Sequence, residues 1–219
     1  MRDDGSRWRA LHQGNPLVSA TIAVLDYGSG NLHSVSRALA HVGADARVTD
    51  SPQLEDADAI LIPGVGHFGQ CVRALRDAGF EAPIRAAVDE GRPVIGVCVG
   101  MQVLFDGSDE DDEPGLGILP GRIRRLPGSV RVPHMGWNTV SWAGRRHAFT
   151  ADLPDQASFY FVHSFAPDLG PDTIGATEHG KTFSAVVARD NVFATQFHPE
   201  KSGEAGLQLY ANIVREVAA

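Results

Sequence analysis

A chain of 219 residues, 43% hydrophobic and 21% charged, can bury a sizeable core, which excludes general disorder and fits one domain of ordinary size. Its net charge of −8 gives the surface no general attraction for phosphate backbones or anionic lipid. No run is long and apolar enough to span a bilayer, so neither a nucleic acid nor a membrane is an expected partner. Two cysteines, Cys71 and Cys98, are too few for a stapled scaffold. They could in principle form one disulfide, but nothing marks the chain as secreted, and a reducing cytoplasm fits better.

Residues 1–20 carry Arg2, Arg7 and Arg9 but lack the apolar stretch and small-residue cleavage site of a signal peptide. They read as a flexible extension or a start-site artefact, with translation beginning near Val18. The domain proper is expected over 21–219. Residues 21–26 read as a buried strand, after which Leu32, Val35, Leu39 and Val42 recur at helical spacing until Gly43 closes the helix. Further strands are expected at 46–49, 59–62 and 94–97, with helices around 72–75 and 84–88. Alternation of this kind, with short Gly-rich connections, predicts an α/β fold with a mainly parallel sheet covered on both faces. Beyond Gln102 the pattern changes. Residues 106–113 form an acidic run expected to be a solvated loop, and Arg122, Arg124, Arg125 and Arg131 are expected on a solvated face. Strands at 139–142, 159–163, 185–188 and 192–197 then suggest antiparallel hairpins appended to the core, before a closing helix at 206–217.

In a parallel sheet the reactive groups gather at the carboxyl ends of the strands. Cys98 follows the 94–97 strand at a strand-to-helix elbow, where a helix N-terminus or a nearby imidazole can favour the thiolate. The alternative is a buried structural cysteine, and for Cys71, inside a helical run, that reading is preferred. Phe197-His198-Pro199-Glu200 closes another apolar strand. Two apart on an extended segment, His198 and Glu200 project to one side, a base with a carboxylate to orient it. A zinc site is disfavoured because no second pair has ligand spacing, so neither metal nor cofactor is expected. Gly64-Val65-Gly66 ends a strand and can turn backbone N–H groups toward a developing oxyanion. Gly28-Ser29-Gly30-Asn31 tempts a nucleotide reading, but His33 stands where the third glycine of the dinucleotide fingerprint belongs, and no phosphate-loop lysine follows.

Gly96-Val97-Cys98-Val99-Gly100-Met101-Gln102 together with Phe197-His198-Pro199-Glu200 resembles the class I, triad-type glutamine amidotransferases, whose fold is flavodoxin-like. Five further segments are similar to those of one branch, the glutaminases of imidazole glycerol phosphate synthases in histidine biosynthesis. They are Asp26-Tyr27-Gly28-Ser29-Gly30-Asn31-Leu32, Pro63-Gly64-Val65-Gly66, His134-Met135-Gly136-Trp137-Asn138, Tyr160-Phe161-Val162-His163-Ser164 and Lys201-Ser202-Gly203. The resemblance runs from Thr21 to the C-terminus. It implies that Cys98 attacks the amide of L-glutamine, His198 moves protons and Glu200 orients His198. It further implies oxyanion N–H groups from Val65 and Val99, and a glutamine pocket lined by Gly66, Gln102 and Ser164. Asn31, Trp137, Asn138 and Lys201 would face a separate (β/α)8 cyclase subunit, which receives the ammonia in a heterodimer and whose docking tunes the oxyanion hole. Val99 stands where many relatives have Leu, and Phe165 where an aromatic hydroxyl is often found; neither removes a catalytic atom. Two other readings stay open. One is another triad amidotransferase, such as the glutaminase partner of pyridoxal phosphate synthase, against which the 136–138 and 201–203 segments speak. The other is a non-catalytic binding or regulatory module.

Overall fold

Short apolar runs buried on both faces pair in parallel, because only helices packed above and below can cover them. The computed structural model describes residues 19–142, 144 and 147–219. In its first half it runs β1 (Thr21–Leu25), α1 (Leu32–His41), β2 (Asp45–Thr49), β3 (Ala59–Ile62), α2 (Phe68–Asp77), α3 (Glu81–Asp89), β4 (Val94–Val97) and α4 (Val99–Gln102). The second half adds β5 (Gly107–Ser108), β6 (Arg122–Arg125), β7 (His134–Trp142), β8 (Gln156–His163), β9 (Phe165–Pro167), β10 (Thr173–Glu178), β11 (Thr182–Arg189), β12 (Val192–Thr195) and α5 (Gly203–Val217). The expected N-terminal extension lies, apart from Ser19 and Ala20, outside the described residues. Among the described residues no helix is long and apolar enough to cross a membrane.

Nine strands form one sheet in the order β2-β1-β3-β4-β12-β11-β10-β7-β8. The first five are mutually parallel and the last four antiparallel, as the change of pattern after Gln102 predicts. A second sheet of three short strands, β5-β6-β9, contains elements that the sequence reading missed. Arg122–Arg125 alternates in exposure, with Ile123 fully buried between exposed arginines. Its charged residues hid a strand whose single apolar residue does the packing. β7 also starts earlier than expected, because Gly136 and the polar His134 and Asn138 weaken the apolar signal. β12 stops at Thr195, two residues short, where Gln196 turns its N–H to the carbonyl of Ala185 at 2.8 Å.

The decisive pairing is β4 with β12. Val97 lies opposite Thr195, and the chain crosses to the next residue through Cys98 N–H donating to Thr195 O at 2.8 Å. Two segments one hundred residues apart therefore end side by side at the carboxyl edge of the sheet. The turn there is tight. A Cβ added at Gly100 would lie 1.9 Å from the carbonyl oxygen of Ile62, and one at Gly96 would lie 2.7 Å from Gly100 O. Gly100→Ala is expected to lower stability by about 1–3 kcal/mol through overpacking. Gly128→Ala, where a Cβ meets nothing within 4 Å, should change it by less than about 0.5 kcal/mol. Urea unfolding of the two variants side by side checks this.

Candidate active site

Cys98 occupies the left-handed region, at φ 56° and ψ −111°. A non-glycine residue held there is strained, and such strain persists only where the surroundings over-determine it. Here Gly96 and Gly100 let the elbow press against β3 and α4 and push the thiol out over the end of β4. The helix after the elbow is only the four residues Val99–Gln102, shorter than the sequence reading implies. One turn carries little macrodipole, so the imidazole is the more effective partner for the thiol.

His198 is 2% exposed, and its Nδ1 lies 2.8 Å from Glu200 Oε1. The segment is not the extended one expected: Pro199–Lys201 forms a 3-10 turn after His198. Proline suits the first turn of a helix, and Lys201 N–H and Ser202 Oγ both return to His198 O, at 3.0 and 2.6 Å. The carboxylate thus curls back under the ring instead of lying beside it. Burial opposes charge on His198, but Cys98 and Glu200 on its two sides outweigh it and lift the imidazole to about 10. Its Nε2, opposite the nitrogen held by Glu200, is buried without a hydrogen-bond partner. Thiol, imidazole and carboxylate thus lie in an order suited to a nucleophile, a proton carrier and its orienter.

A cavity of about 240 Å³ opens beside Cys98 and His198 and is lined among others by Val65, Gly66, Val99, Gln102, Ser164 and Phe165. Gln102 is held from behind, its Nε2 donating to Phe165 O and to Gln196 Oε1, both at 3.0 Å. Gln196, which the sequence reading passed over, also sits 3.8 Å from Cys98 Sγ through its Nε2. The two expected oxyanion donors are brought to the cavity, but both are engaged elsewhere. Val99 N–H donates to Gly64 O at 3.3 Å, and Val65 N–H to Ser29 Oγ at 3.2 Å. Gly64 C=O and Val65 N–H belong to one peptide unit, so turning that unit over frees both donors together. Gly64 has no Cβ, and one would sit 2.4 Å from Gly100 N. In the conformation seen neither N–H is free.

The acidic run is not the solvated loop expected. Glu110 accepts from Phe68 N–H at 2.8 Å and so caps α2, while Asp111 and Glu113 pair with Arg73 and Glu113 also with Arg76. Gly69 makes this approach feasible, since a Cβ there would meet the Asp111 carboxylate at 2.1 Å. Docking brings Glu110 into the cavity wall, where it is the one carboxylate among the lining residues. A helix N-terminus attracts acidic caps, and that was the signal available in the sequence.

Of the expected partner-facing residues, Trp137 is 59% exposed and packs edge-on against Tyr160, over which Lys201 Nζ lies at 5.9 Å. Met135, 62% exposed, extends the same strand's apolar surface. Asn138 is half-buried and turned inward, and Asn31 is half-buried ahead of α1. Both cysteines are free thiols. Cys71 lies buried beneath Val65, its Sγ donating to Val65 O at 3.4 Å.

The family model for glutamine amidotransferase class-I matches residues 23–217. An imidazole glycerol phosphate synthase subunit HisH of Microcystis aeruginosa is 48% identical over 203 residues, covering 90% of this chain and 95% of that protein. The subunit of the same name from a Synechocystis strain is 47% identical over 205 residues, covering 90% and 97%. Among solved structures, PurLQS from Thermotoga maritima superposes with a TM-score of 0.73 at 20% identity, over 91% of this chain and 99% of that one. A glutamine amidotransferase crystal structure does so at 0.69 and 23%, over 90% and 98%. At those identities the superpositions speak for the fold alone.

Two further buried histidines, His163 in the cavity wall and His134 beyond it, behave oppositely to His198. Burial, with the neighbouring His179 imidazole, depresses His134 to about 4; burial likewise outweighs a backbone hydrogen bond to bring His163 to about 3. Below about pH 6.5 the unfolded chain binds protons at these sites that the folded chain does not, so stability rises with pH there. These two groups should therefore withdraw stability as pH falls from about 6.5 toward 4. Histidine Cε1–H resonances that remain those of neutral rings at pH 5.5 for His134 and His163, with a falling urea midpoint over the same range, are the expected result.

Proposed function

The chain belongs to the class-I glutamine amidotransferase family, and from that we propose that it is the glutaminase subunit of an imidazole glycerol phosphate synthase, working in the cytoplasm beside a separate (β/α)8 cyclase subunit. The observation that carries the chemistry is the buried Cys98, His198 and Glu200 cluster at the joined ends of β4 and β12. The near-half identity to the two subunits carries the choice of branch. Residues 21–219 are taken as the amidotransferase domain.

In this reading Cys98 passes its proton to His198, and Sγ attacks the side-chain carbonyl carbon of L-glutamine. The C–N bond breaks as the imidazolium returns a proton to the nitrogen, and ammonia leaves. Water, deprotonated by His198, then attacks the thioester, and glutamate departs with the thiol restored. Glu200 keeps one imidazole face toward the reacting atoms throughout. The oxyanion of each tetrahedral intermediate needs the N–H groups of Val65 and Val99, which become available when the Gly64–Val65 peptide turns. Docking of the cyclase against the Trp137, Tyr160 and Lys201 cluster supplies the free energy for that turn. Ammonia passes to the cyclase, which uses it with a phosphorylated ribulosyl-aminoimidazole substrate to form imidazole glycerol phosphate and the aminoimidazole carboxamide ribotide. Gly66, Gln102 and Ser164 surround the amino-acid end of glutamine, and Glu110 is suited to its α-ammonium.

Three outcomes follow. Cys98→Ala should abolish glutamine-dependent synthesis by the reconstituted complex and leave ammonia-dependent synthesis intact; a variant that still releases glutamate removes Cys98 from the mechanism. Glutamate release by the isolated chain should be slow and rise at least tenfold, about 1.4 kcal/mol, when the cyclase and its nucleotide ligand are added. Equal rates with and without them contradict the closed-peptide account. Glu110→Gln should raise KM for glutamine by about tenfold or more, with a smaller change in kcat, as expected for a lost charge-assisted contact. Steady-state glutamate release measures both constants.

A further inference from the structure

From the cavity wall, which His163 helps to line, a chain of buried polar groups that none of the chemical steps uses runs into the protein. His163 Nδ1 lies 2.9 Å from Phe165 O, and its Nε2 lies 3.0 Å from His134 Nδ1. His134 Nε2 in turn lies 3.1 Å from Asn138 Nδ2, which also reaches Glu178 O at 3.0 Å. The direction of every bond follows from its end. A carbonyl oxygen only accepts, so His163 carries its proton on Nδ1 and offers a lone pair at Nε2. His134 must then donate from Nδ1 and accept at Nε2, where the Asn138 amide donates. Both rings are neutral and each has a single permitted tautomer.

The chain continues past Phe165. The same carbonyl oxygen accepts from Gln102 Nε2, which is shared with Gln196, and Gln196 reaches Cys98 Sγ. His134 is 4% exposed and sandwiched between Phe161 and His179, with ring centroids at 4.8 and 4.2 Å. Its orientation is thus set by stacking on both faces and by a hydrogen bond at each nitrogen. At the far end Asn138 lies on β7 beside the exposed Trp137. A shift of that strand has a continuous set of bonds through which to reach the pocket, with the His163 and Gln102 donors converging on the Phe165 carbonyl.

We infer that His134 is a positioning residue for glutamine binding: through His163 it holds the Phe165 carbonyl and the Gln102 carboxamide in register with Asn138, and so ties the docking edge of β7 to the pocket. This rests on the proposed glutaminase reading. It adds a role for His134, which is not among the residues lining the cavity, and it makes a statement about KM and additivity that a merely structural histidine does not.

The test uses the full chain reconstituted with its cyclase, reading glutamate release against glutamine concentration. His134→Phe keeps the stack and removes both nitrogens, and should raise KM about two- to tenfold with kcat changed less than about twofold. Ammonia-dependent synthesis should be unchanged, which shows that the complex has assembled. His134→Gln, which retains a donor and an acceptor, should recover most of the lost affinity. Asn138→Ala should raise KM in the native background and add nothing in the His134→Phe background. Unchanged KM in an assembled His134→Phe complex, or additive effects of the two substitutions, overturns the inference. If His134→Phe fails to assemble, the Asn138→Ala and His134→Gln arms decide, and a KM unmoved by Asn138→Ala overturns it. Failure of the native complex to release glutamate would instead overturn the glutaminase reading itself.

Discussion

The parallel ladder between β4 and β12 is the constraint on which the rest of the site depends. With Val97 opposite Thr195, the two strands end together, and the chain beyond each must turn away from the sheet at the same edge. One exit is the strained elbow at Cys98; the other runs through Gln196 and Phe197 to His198. A register slip by one residue would move every side chain of β12 to the opposite face and carry His198 away from the thiol. β8 reinforces the arrangement from the other side, with Tyr160 O accepting from His198 N–H at 3.0 Å and Phe159 stacked on Phe197. The catalytic cluster is thus held by backbone geometry before any side chain interacts.

Once assembled, that cluster shows how environment divides one residue type into two roles. His198, His163 and His134 are all buried, and burial alone would keep each neutral. His198 departs from this because a thiol and a carboxylate flank it, and both favour the imidazolium. His163 and His134 have a carbonyl, a carboxamide and each other as neighbours, none of which repays the desolvation of a charge. The first is suited to carry a proton and the others to act as fixed dipoles. The Gly64–Val65 peptide likewise takes part in both contacts at the cavity edge, its carbonyl accepting from Val99 N–H and its own N–H donating to Ser29 Oγ.

Much of this was legible before folding. β3 and β4 have the bounds that their apolar runs predict, because four consecutive buried residues leave no other reading. Cys98, His198 and Glu200 stood out by residue type and by their place at strand ends. The failures have physical causes. The acidic run 106–113 read as solvated because charge in sequence signals water, whereas Glu110, Asp111 and Glu113 find a helix N-terminus and two arginines that neutralise them. The Arg122–Arg125 strand was hidden because only Ile123 faces the core. Gln196 gave no signal, and His134 and Asn138 stood out only as parts of a motif, Asn138 as a residue expected to face a partner, since a polar residue in an apolar stretch says nothing about which buried group it will meet.

The sequence by itself determined the alternation of elements, the candidate reacting groups and, through its motifs, the branch of the family, because these depend on local pattern and residue chemistry. Only the tertiary structure decided which donors are free, which carboxylate enters the pocket and which histidines are charged. Those properties arise from groups far apart in the chain and from the loss of water around them, and neither is written in any local stretch.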